Sequence, residues 1–267
     1  MFAAGIDIGS LTAKTVIVDD RARIVGHALV LTGAMSKRAG ETSFESALKV
    51  AGISSSDVTY VLATGYGRNN VPFAKAEMTE ITCHARGAHH LFPETRTIID
   101  IGGQDSKAIS VNERGAATNF MMNDKCAAGS GRFLEVMARA LEIELDRMGE
   151  LSLQSTKEVP ISSMCTVFAE SEVVSLIADN QPKEVIIRGL HDSIADRILG
   201  MVNRVGIEEE VTLTGGVAKN EGVVRALEDR LGVKMFIPPE PQIIGALGAA
   251  LMARELSPRH DAKDQKA

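Results

Sequence analysis

The sequence contains no tryptophan, and aromatic residues make up only 4% of its 267 residues. It also lacks a run of basic residues, and its formal net charge is −6 at pH 7. Proteins that track a phosphate backbone need a basic surface, so this balance argues against nucleic-acid binding. No apolar stretch approaches the roughly 18–20 residues that cross a bilayer, which argues against a membrane partner. The first residues lack a signal-peptide layout, and the sequence predicts a cytoplasmic protein.

Cysteine is scarce as well, with only Cys83, Cys126 and Cys165 in the chain. Structural disulfides are rare in cytosolic proteins, so these three are not predicted to form one. A cubane iron–sulfur cluster needs four thiolates, which one chain with three cysteines cannot supply but a dimer giving two from each chain can. The alternative is that all three are ordinary buried thiols, the usual state of free cysteine. Cys83 stands beside His84 in a predicted helix, and we interpret it as core packing.

Two of the cysteines precede predicted helices. Cys126 stands ahead of a run of small residues that leads into an amphipathic segment. Cys165 is followed by Thr166, a predicted N-cap, and by a helix predicted over 169–179. A thiolate just before a helix is stabilised by the positive end of the helix dipole. The pattern predicts that Cys126 and Cys165 are both anionic and that each precedes the start of a helix.

Apolar periodicity predicts alternating strands and helices along the whole chain. The predicted strands cover 4–9, 14–18, 24–31, 60–63, 97–101, 107–111, 118–122, 211–214 and 233–237. The other predicted helices cover 41–50, 79–91, 183–205, 223–231 and 244–254.

An internal repeat organises these elements. The segment from Ile6 to Lys14 aligns without a gap on Ile99 to Lys107, with five of nine positions identical. Each copy reads as a strand with an acid inside it, a glycine-containing turn and a second strand. A single turn of this kind is usually only a hairpin. Two in register, with a third turn at Gly215-Gly216, predict two related lobes and a binding cleft between them.

The repeated turns suit phosphate, because glycine lets backbone N–H groups approach an anion closely. The lysine that ends each copy would add positive charge. Asp7, Asp100 or Asp105 could hold Mg²⁺ through water, and Asp7 and Asp100 are the best candidates. Gln104 is a candidate to orient an attacking water, as glutamine does in some GTPases, and Asp105 is the alternative. The spacing fits neither a Walker A motif nor the Rossmann fingerprint.

These turns resemble the nucleotide-binding segments of the acetate kinase, sugar kinase, Hsp70 and actin superfamily, in residues 5–10, 99–105 and 213–218. A closer resemblance is to the ATP-dependent activators of 2-hydroxyacyl-CoA dehydratases, which share the BadF/BadG/BcrA/BcrD type with benzoyl-CoA reductase ATPase subunits. It is carried by residues 62–69, 122–133 and 165–173 and extends from about Gly5 to about Arg254.

The resemblance implies an α/β fold, a duplicated ribonuclease-H-like two-lobe ATPase. Lobe I would comprise 1–95 with 244–267 and carry the first phosphate turn. Lobe II would comprise 96–243 and carry the second phosphate turn, the cluster cysteines and the adenosine-side Gly-Gly.

The resemblance also implies the ligands. One [4Fe–4S] cluster would bridge a homodimer, held by Cys126 and Cys165 of each chain. ATP or ADP would bind with Mg²⁺, and Asp7, Asp100, Gln104 and Asp105 are the catalytic candidates. The residues expected to contact the nucleotide are Ser10, Leu11, Thr12, Ala13, Lys14, Gly102, Gly103, Gln104, Gly215, Gly216 and Gln242.

The implied activity is ATP hydrolysis coupled to low-potential electron transfer from the cluster to a 2-hydroxyacyl-CoA dehydratase. Lobe closure would reorient the helices that follow Cys126 and Cys165, and reduced ferredoxin or flavodoxin would be the donor. Such chemistry is oxygen-sensitive and belongs to anaerobic metabolism. One alternative is the ATPase subunit of benzoyl-CoA reductase or a related double-cubane reductase. A second is a metal-free small-molecule kinase of the same superfamily.

Overall fold

The structure is a computed structural model that describes residues 1–157, 159–162 and 165–258. The chain divides into two compact units, Met1–Gly87 with Ile243–Ala267 and Ala88–Gln242. The resemblance predicts lobe borders at 95/96 and 243/244, whereas the two units divide at 87/88 and 242/243. Residues 259–267 of the expected lobe I lie outside the described residues.

Each unit is built from five strands with helices between them. The strands are β1 (Phe2–Ile8), β2 (Thr12–Val18), β3 (Ile24–Leu31), β4 (Val58–Thr64), β5 (Ala76–Glu77), β6 (Thr97–Ile101), β7 (Ser106–Val111), β8 (Ala117–Asn123), β9 (Val211–Thr214) and β10 (Met235–Phe236). The helices are α1 (Ser36–Ala51), α2 (Glu80–Leu91), α3 (Gly131–Ala140), α4 (Arg147–Leu153), α5 (Thr166–Ala178), α6 (Lys183–Val205), α7 (Glu221–Leu231) and α8 (Ile244–Leu256).

The two sheets have the same topology. The order is β3-β2-β1-β4-β5 in the first unit and β8-β7-β6-β9-β10 in the second. In both, the first three strands are antiparallel neighbours and the last two run parallel to the central strand. The predicted repeat is therefore a repeat of whole sheets.

The register of the central strands places the same residue types side by side in both units. Asp7 in β1 is opposite Lys14 in β2 and Thr64 in β4. Asp100 in β6 is opposite Lys107 in β7 and Thr214 in β9. Each aspartate is thus flanked by a lysine on its antiparallel side and a threonine on its parallel side. The repeat extends to the parallel strand, which the alignment of nine residues did not reach.

Helices cover the sheets through small residues and aliphatic side chains. In the first unit α8 lies directly on β1, because a Cβ on Gly5 would overlap the backbone of Ala246 and Ala250. In the second unit α3, α5, α6 and α7 share one core with the sheet, in which Met137 and Leu190 are fully buried. Within the described ranges, no helix combines the length and apolarity needed to span a bilayer.

One buried polar group ties three helices of the second unit together. His191 of α6 is fully buried, and its Nδ1 lies 3.0 Å from the Ser152 hydroxyl of α4. Its Nε2 lies 3.5 Å from the amide of Asn220, the N-cap of α7. Burial lowers the pKa of His191 to about 3, so the ring is neutral in the folded protein.

Several predicted elements differ from the observed ones. The helix predicted over 41–50 begins earlier, at Ser36, and the one predicted over 169–179 begins at Thr166. The short strand β5 and the helix α4 were not predicted. The spans 24–31, 97–101, 183–205 and 211–214 coincide with the predictions.

Candidate functional site

The first turn joins β1 to β2 at residues 9–11. Gly9 N–H donates to Thr12 O at 3.0 Å, which closes the turn. Lys14 Nζ donates to Asp7 Oδ2 at 3.2 Å from the neighbouring strand. Of the predicted contacts in this segment, Ser10 is exposed and the Ala13 side chain is buried in the core. The groups that this turn offers to a ligand are therefore its backbone and one lysine–aspartate pair.

The second turn joins β6 to β7 and carries an additional acid. Gly102 N–H donates to Asp105 O at 2.9 Å, matching the closure of the first turn. Lys107 Nζ donates to Asp105 Oδ2 at 2.6 Å and to Asp100 Oδ2 at 3.1 Å. The other oxygen of Asp100 accepts from the Thr214 hydroxyl at 2.8 Å.

The aspartates differ in their availability to a metal ion. The Asp100 side chain is only 4% exposed, and both of its oxygens accept hydrogen bonds from protein groups. The Asp105 side chain is 27% exposed and projects from the turn. Mg²⁺ in nucleotide sites keeps several waters and takes one or two carboxylates. Asp105 is therefore more accessible to a water-mediated ion than Asp100 or than Asp7, whose side chain is 8% exposed and pairs with Lys14.

The third turn follows β9 and meets the segment before α8. Gly215 N–H donates to Pro241 O at 2.9 Å. A Cβ on Gly216 would lie 3.2 Å from Nε2 of Gln242. Three of the predicted nucleotide contacts, Gly215, Gly216 and Gln242, are therefore brought together within the second unit.

Cys126 lies in the loop between β8 and α3, half-buried against the core of the second unit. The loop is fixed at its start by Asn123, whose Nδ2 donates to Cys126 O at 2.8 Å and to Ala128 O at 3.2 Å. The Ser130 hydroxyl donates to Ala127 O at 2.6 Å. These bonds restrain the backbone around the thiol.

The start of α3 is bonded to the second turn. Gly131 N–H donates to Gly102 O at 2.9 Å, and Arg132 N–H donates to Gly103 O at 2.7 Å. The approach is close, since a Cβ on Gly131 would lie 3.2 Å from Gly102 O. The second turn and the Cys126 loop are therefore neighbours joined by main-chain hydrogen bonds. The sequence predictions did not include this contact.

Cys165 occupies the N-cap position of α5 and is exposed. Its carbonyl accepts the first helical bond, from Ala169 N–H at 2.9 Å, so the predicted N-cap Thr166 is wrong and that residue is the first of the helix. Upstream, the carboxylate of Glu172 accepts hydrogen bonds from the Ser162 N–H at 3.0 and 3.1 Å and from its hydroxyl at 3.0 Å. The predicted second motif also included Ser163 and Met164, which lie outside the described residues.

Two buried polar atoms beside the cysteine segments lack hydrogen-bond partners among the described residues: Thr166 Oγ1 and Arg197 Nε. Thr166 follows Cys165 directly, and the Arg197 stem packs on Gly129, three residues after Cys126. In the described ranges no group of three or more Cys, His, Asp or Glu residues is placed to hold a metal. Cys126 and Cys165 are two thiols, whereas a cubane cluster needs four thiolates.

Cys83 is unlike the other two cysteines. It is fully buried in α2, and burial raises the pKa of its thiol to about 12. Its interpretation as core packing is confirmed.

Known proteins are similar to this chain in sequence and in fold. The sequence matches the BadF/BadG/BcrA/BcrD ATPase family over residues 4–253. It is 50% identical over 255 residues to the activator of lactoyl-CoA dehydratase of Anaerotignum propionicum, covering 96% of this chain and 98% of the relative. The activator of 2-hydroxyisocaproyl-CoA dehydratase from Clostridium difficile, solved with bound ADPNP, superimposes with a TM-score of 0.91. It is 44% identical, with 96% of this chain and 95% of that chain covered.

More distant proteins are also similar. One of the benzoyl-CoA reductase subunits of Thauera aromatica is 36% identical over 262 residues, which cover 93% of this chain and 91% of the relative. A ROK family glucokinase from Streptomyces griseus is 14% identical, with a TM-score of 0.62 over 96% of this chain and 100% of that chain. The likeness to the glucokinase shows the fold alone, and it confirms the predicted duplicated two-lobe α/β class of the sugar kinases.

Proposed function

The chain belongs to the BadF/BadG/BcrA/BcrD ATPase family, and on that premise we propose that it is an ATP-hydrolysing activator of a 2-hydroxyacyl-CoA dehydratase. Its relatives include activators at 50% and 44% identity, each matched over nearly its full length. When bound, a [4Fe–4S] cluster would supply a low-potential electron to the dehydratase. A reduced ferredoxin or flavodoxin is the proposed donor.

The cysteine geometry supports a cluster shared by two copies of the chain. Cys126 is half-buried in a loop held by Asn123, and Cys165 is exposed at the start of α5. The first amides of α5 point toward Cys165, so the helix dipole favours negative charge there. Two thiolates per chain match the four of a cubane only in a homodimer.

The exposed side of α5 supports the same arrangement. Val167 and Phe168 lie in the first turn of the helix and are 66% and 67% exposed, and Val174 is 55% exposed. Apolar side chains grouped on one helix in this way mark an interaction surface more often than a solvated face. A second copy, placed by the shared ligand Cys165, is the proposed occupant.

The turns supply the nucleotide contacts. Backbone N–H groups of 10–13 and 103–104 are the proposed phosphate ligands, with Lys14 adding charge. Gly215, Gly216 and Gln242 are proposed to contact the adenosine end. Mg²⁺ is proposed to bind through water beside these turns, where it would neutralise phosphate charge.

The observation that carries the proposal is the main-chain contact between the second turn and α3. Gly131 and Arg132 donate to the carbonyls of Gly102 and Gly103, in the turn proposed to bind phosphate. A displacement of that turn on binding or loss of the γ-phosphate would move the start of α3, and with it the loop that holds Cys126. Nucleotide occupancy is thereby linked to the environment of a cluster ligand by a path of two hydrogen bonds.

The test is an anaerobic absorption and EPR spectrum of the purified protein, with and without ATP. We expect about four iron atoms per dimer and a signal whose shape changes with ATP. Cys126→Ser and Cys165→Ser should each lose the cluster, whereas Cys83→Ser, a matched control in the core, should keep it. A full four-iron signal in either ligand variant, or an iron-free dimer that phosphorylates a metabolite, would refute the proposal.

The second candidate is the ATPase subunit of a benzoyl-CoA reductase or a related double-cubane reductase, favoured by the 36% identity to the Thauera protein. A reductase subunit remains bound to its complex, whereas an activator separates from its dehydratase. Purification from cell extract under anaerobic conditions distinguishes them, since an activator is expected to elute as the homodimer alone.

A further inference from the structure

The two repeated turns differ at one chemically decisive position. Asp105 in the second turn aligns with Thr12 in the first. As a result, Lys14 pairs with one acid, Asp7, among the described residues, whereas Lys107 pairs with both Asp100 and Asp105. The Lys107 side chain is 3% exposed, against 13% for Lys14. The second turn therefore contains a buried lysine bonded to two acids.

Lys107 donates a hydrogen bond to a buried aspartate on the neighbouring strand. It is the second residue of β7 and lies opposite Asp100 in the central strand β6. Asp100 is itself fixed from the parallel strand by the Thr214 hydroxyl at 2.8 Å. An ammonium confined by a buried, hydrogen-bonded carboxylate has little freedom to follow a ligand. It is suited to fixing a neighbouring group in place.

That neighbouring group is the Asp105 carboxylate. Its Oδ2 accepts from Lys107 at 2.6 Å, the shorter of the two lysine contacts. Its Oδ1 lies over the Cα of Gly102, where a Cβ would overlap it. The Asp105 carbonyl accepts from Gly102 N–H at 2.9 Å. Glycine at 102 leaves room for the carboxylate of its own turn, and the bond from Lys107 holds that carboxylate in place.

We propose that Lys107 is a positioning residue that fixes Asp105, and that Asp105 is the carboxylate that orients the attacking water; this rests on the ATP hydrolysis proposed above. The water oxygen bonds to the γ-phosphorus, the bond to the β–γ bridging oxygen breaks, and ADP leaves with that electron pair. The water proton passes to Asp105 and from there to solvent. Phosphoryl transfer depends on such positioning more than on covalent chemistry.

Gln104, the other candidate for this role, lacks comparable support. It is exposed at the tip of the turn, and its side chain makes none of the hydrogen bonds found in the described part of the chain. A water-orienting group must be held close to its productive geometry, because loss of about 1 Å in placement is costly to rate. Asp105 meets that requirement, and it does so only while Lys107 is present.

The experiment is a double-mutant cycle on the full-length protein, purified anaerobically. ATP hydrolysis gives kcat and KM, and calorimetric titration with ADPNP gives nucleotide affinity, for Asp105→Asn, Lys107→Met and the double variant. We expect each single change to lower kcat by about 100-fold, within the range for a lost general base. The double variant should lose no more than Asp105→Asn alone, because Lys107 acts through Asp105. ADPNP affinity should stay within about threefold, since the lysine does not bind phosphate.

Lys234→Met is the matched control, since Lys234 is exposed and pairs with Glu228 away from the turn. If Lys107→Met melts below the assay temperature, Lys107→Arg replaces it in the cycle. Arginine keeps the charge and a donor toward Asp105, so we expect it to regain most of the lost kcat. Additive losses in kcat, or a tenfold fall in ADPNP affinity with kcat unchanged, would overturn the proposal. Failure of the wild-type protein to bind ADPNP would instead contradict the proposed function.

Discussion

Replacing Gly131 by alanine tests whether the second turn controls the Cys126 loop. The new Cβ would lie 3.2 Å from Gly102 O and 3.5 Å from the Cα of Gly103. Relief of the closer contact moves α3 away from the turn by a few tenths of an ångström. This lengthens the two hydrogen bonds of 2.9 and 2.7 Å that join them.

The expected size of the effect follows from those two bonds. A backbone hydrogen bond contributes about 1 kcal/mol net. Weakening both bonds therefore removes up to about 2 kcal/mol of the coupling free energy between the second turn and α3. That corresponds to about a 30-fold weakening of the coupling between the turn and the start of α3. Alanine also reduces the conformational entropy of the unfolded chain, which offsets part of the lost contact. We therefore expect global stability to change by less than about 1 kcal/mol while the linkage is lost.

The assay measures how fast the Cys126 thiol reacts with a disulfide reagent in cluster-free protein, with saturating ADPNP or ADP. Cys165→Ser is used as background, and Cys83 does not interfere because it is buried and its pKa is raised to about 12. In this background the reaction rate should depend on the nucleotide, and Gly131→Ala should bring the two rates close to equality.

Gly200→Ala is the control for helix effects. Gly200 lies in α6, and a Cβ there would meet no heavy atom within 4 Å. It should keep the nucleotide dependence and gain stability, by about 1 kcal/mol. If Gly131→Ala retains the full dependence, the path through the turn is wrong even if the protein binds ADPNP normally.

Three further predictions concern other parts of the molecule. The folded pKa of His191 is about 3 against 6.5 in the unfolded chain, so its contribution to stability is complete above pH 6.5 and falls with pH down to about 3. Urea unfolding should show about 2 kcal/mol less stability at pH 5 than at pH 7.5, and His191→Gln should remove most of that slope. Gly102→Ala should displace the Asp105 carboxylate and lower kcat for ATP with ADPNP affinity retained, as titration can show. Phe168→Ser, at a side chain 67% exposed, should raise the dimer dissociation constant in analytical ultracentrifugation without lowering the melting temperature of the protomer.

Much of the fold could be predicted because the repeat and the apolar periodicity agree. The strand Thr97–Ile101 and the helix Lys183–Val205 coincide with their predicted spans, since both are continuous patterns with clear ends. The start of α1 at Ser36 was missed because its first turn is polar and its N-cap, Met35, makes no side-chain cap hydrogen bond. The strand β5 has two residues, too few for any period, and it exists because β4 offers it a parallel edge.

The site was predicted less completely, for physical reasons. The turns follow from the repeat, but the contact between Gly131 and Gly102 joins segments that no local pattern relates. The place of Thr214 in the site could have been predicted, because Thr-Gly follows an apolar strand in both halves, at 64–65 and 214–215. The two helix starts were expected to be alike, yet Cys165 is itself an N-cap, whereas Cys126 precedes its helix by a loop. The first two amides of α3 donate to the turn, so we assign the dipole effect to α5 alone.

The presence of Asp105 at the position that Thr12 occupies in the first turn has an evolutionary consequence. A gene duplication yields two identical modules, and specialisation requires that they come to differ. Here the register of both sheets is unchanged although four of the nine aligned positions differ, and Asp105 is the difference proposed to separate a turn that binds phosphate from one that also takes part in hydrolysis. Division of labour between the halves can therefore arise within one short turn, without redesign of either sheet.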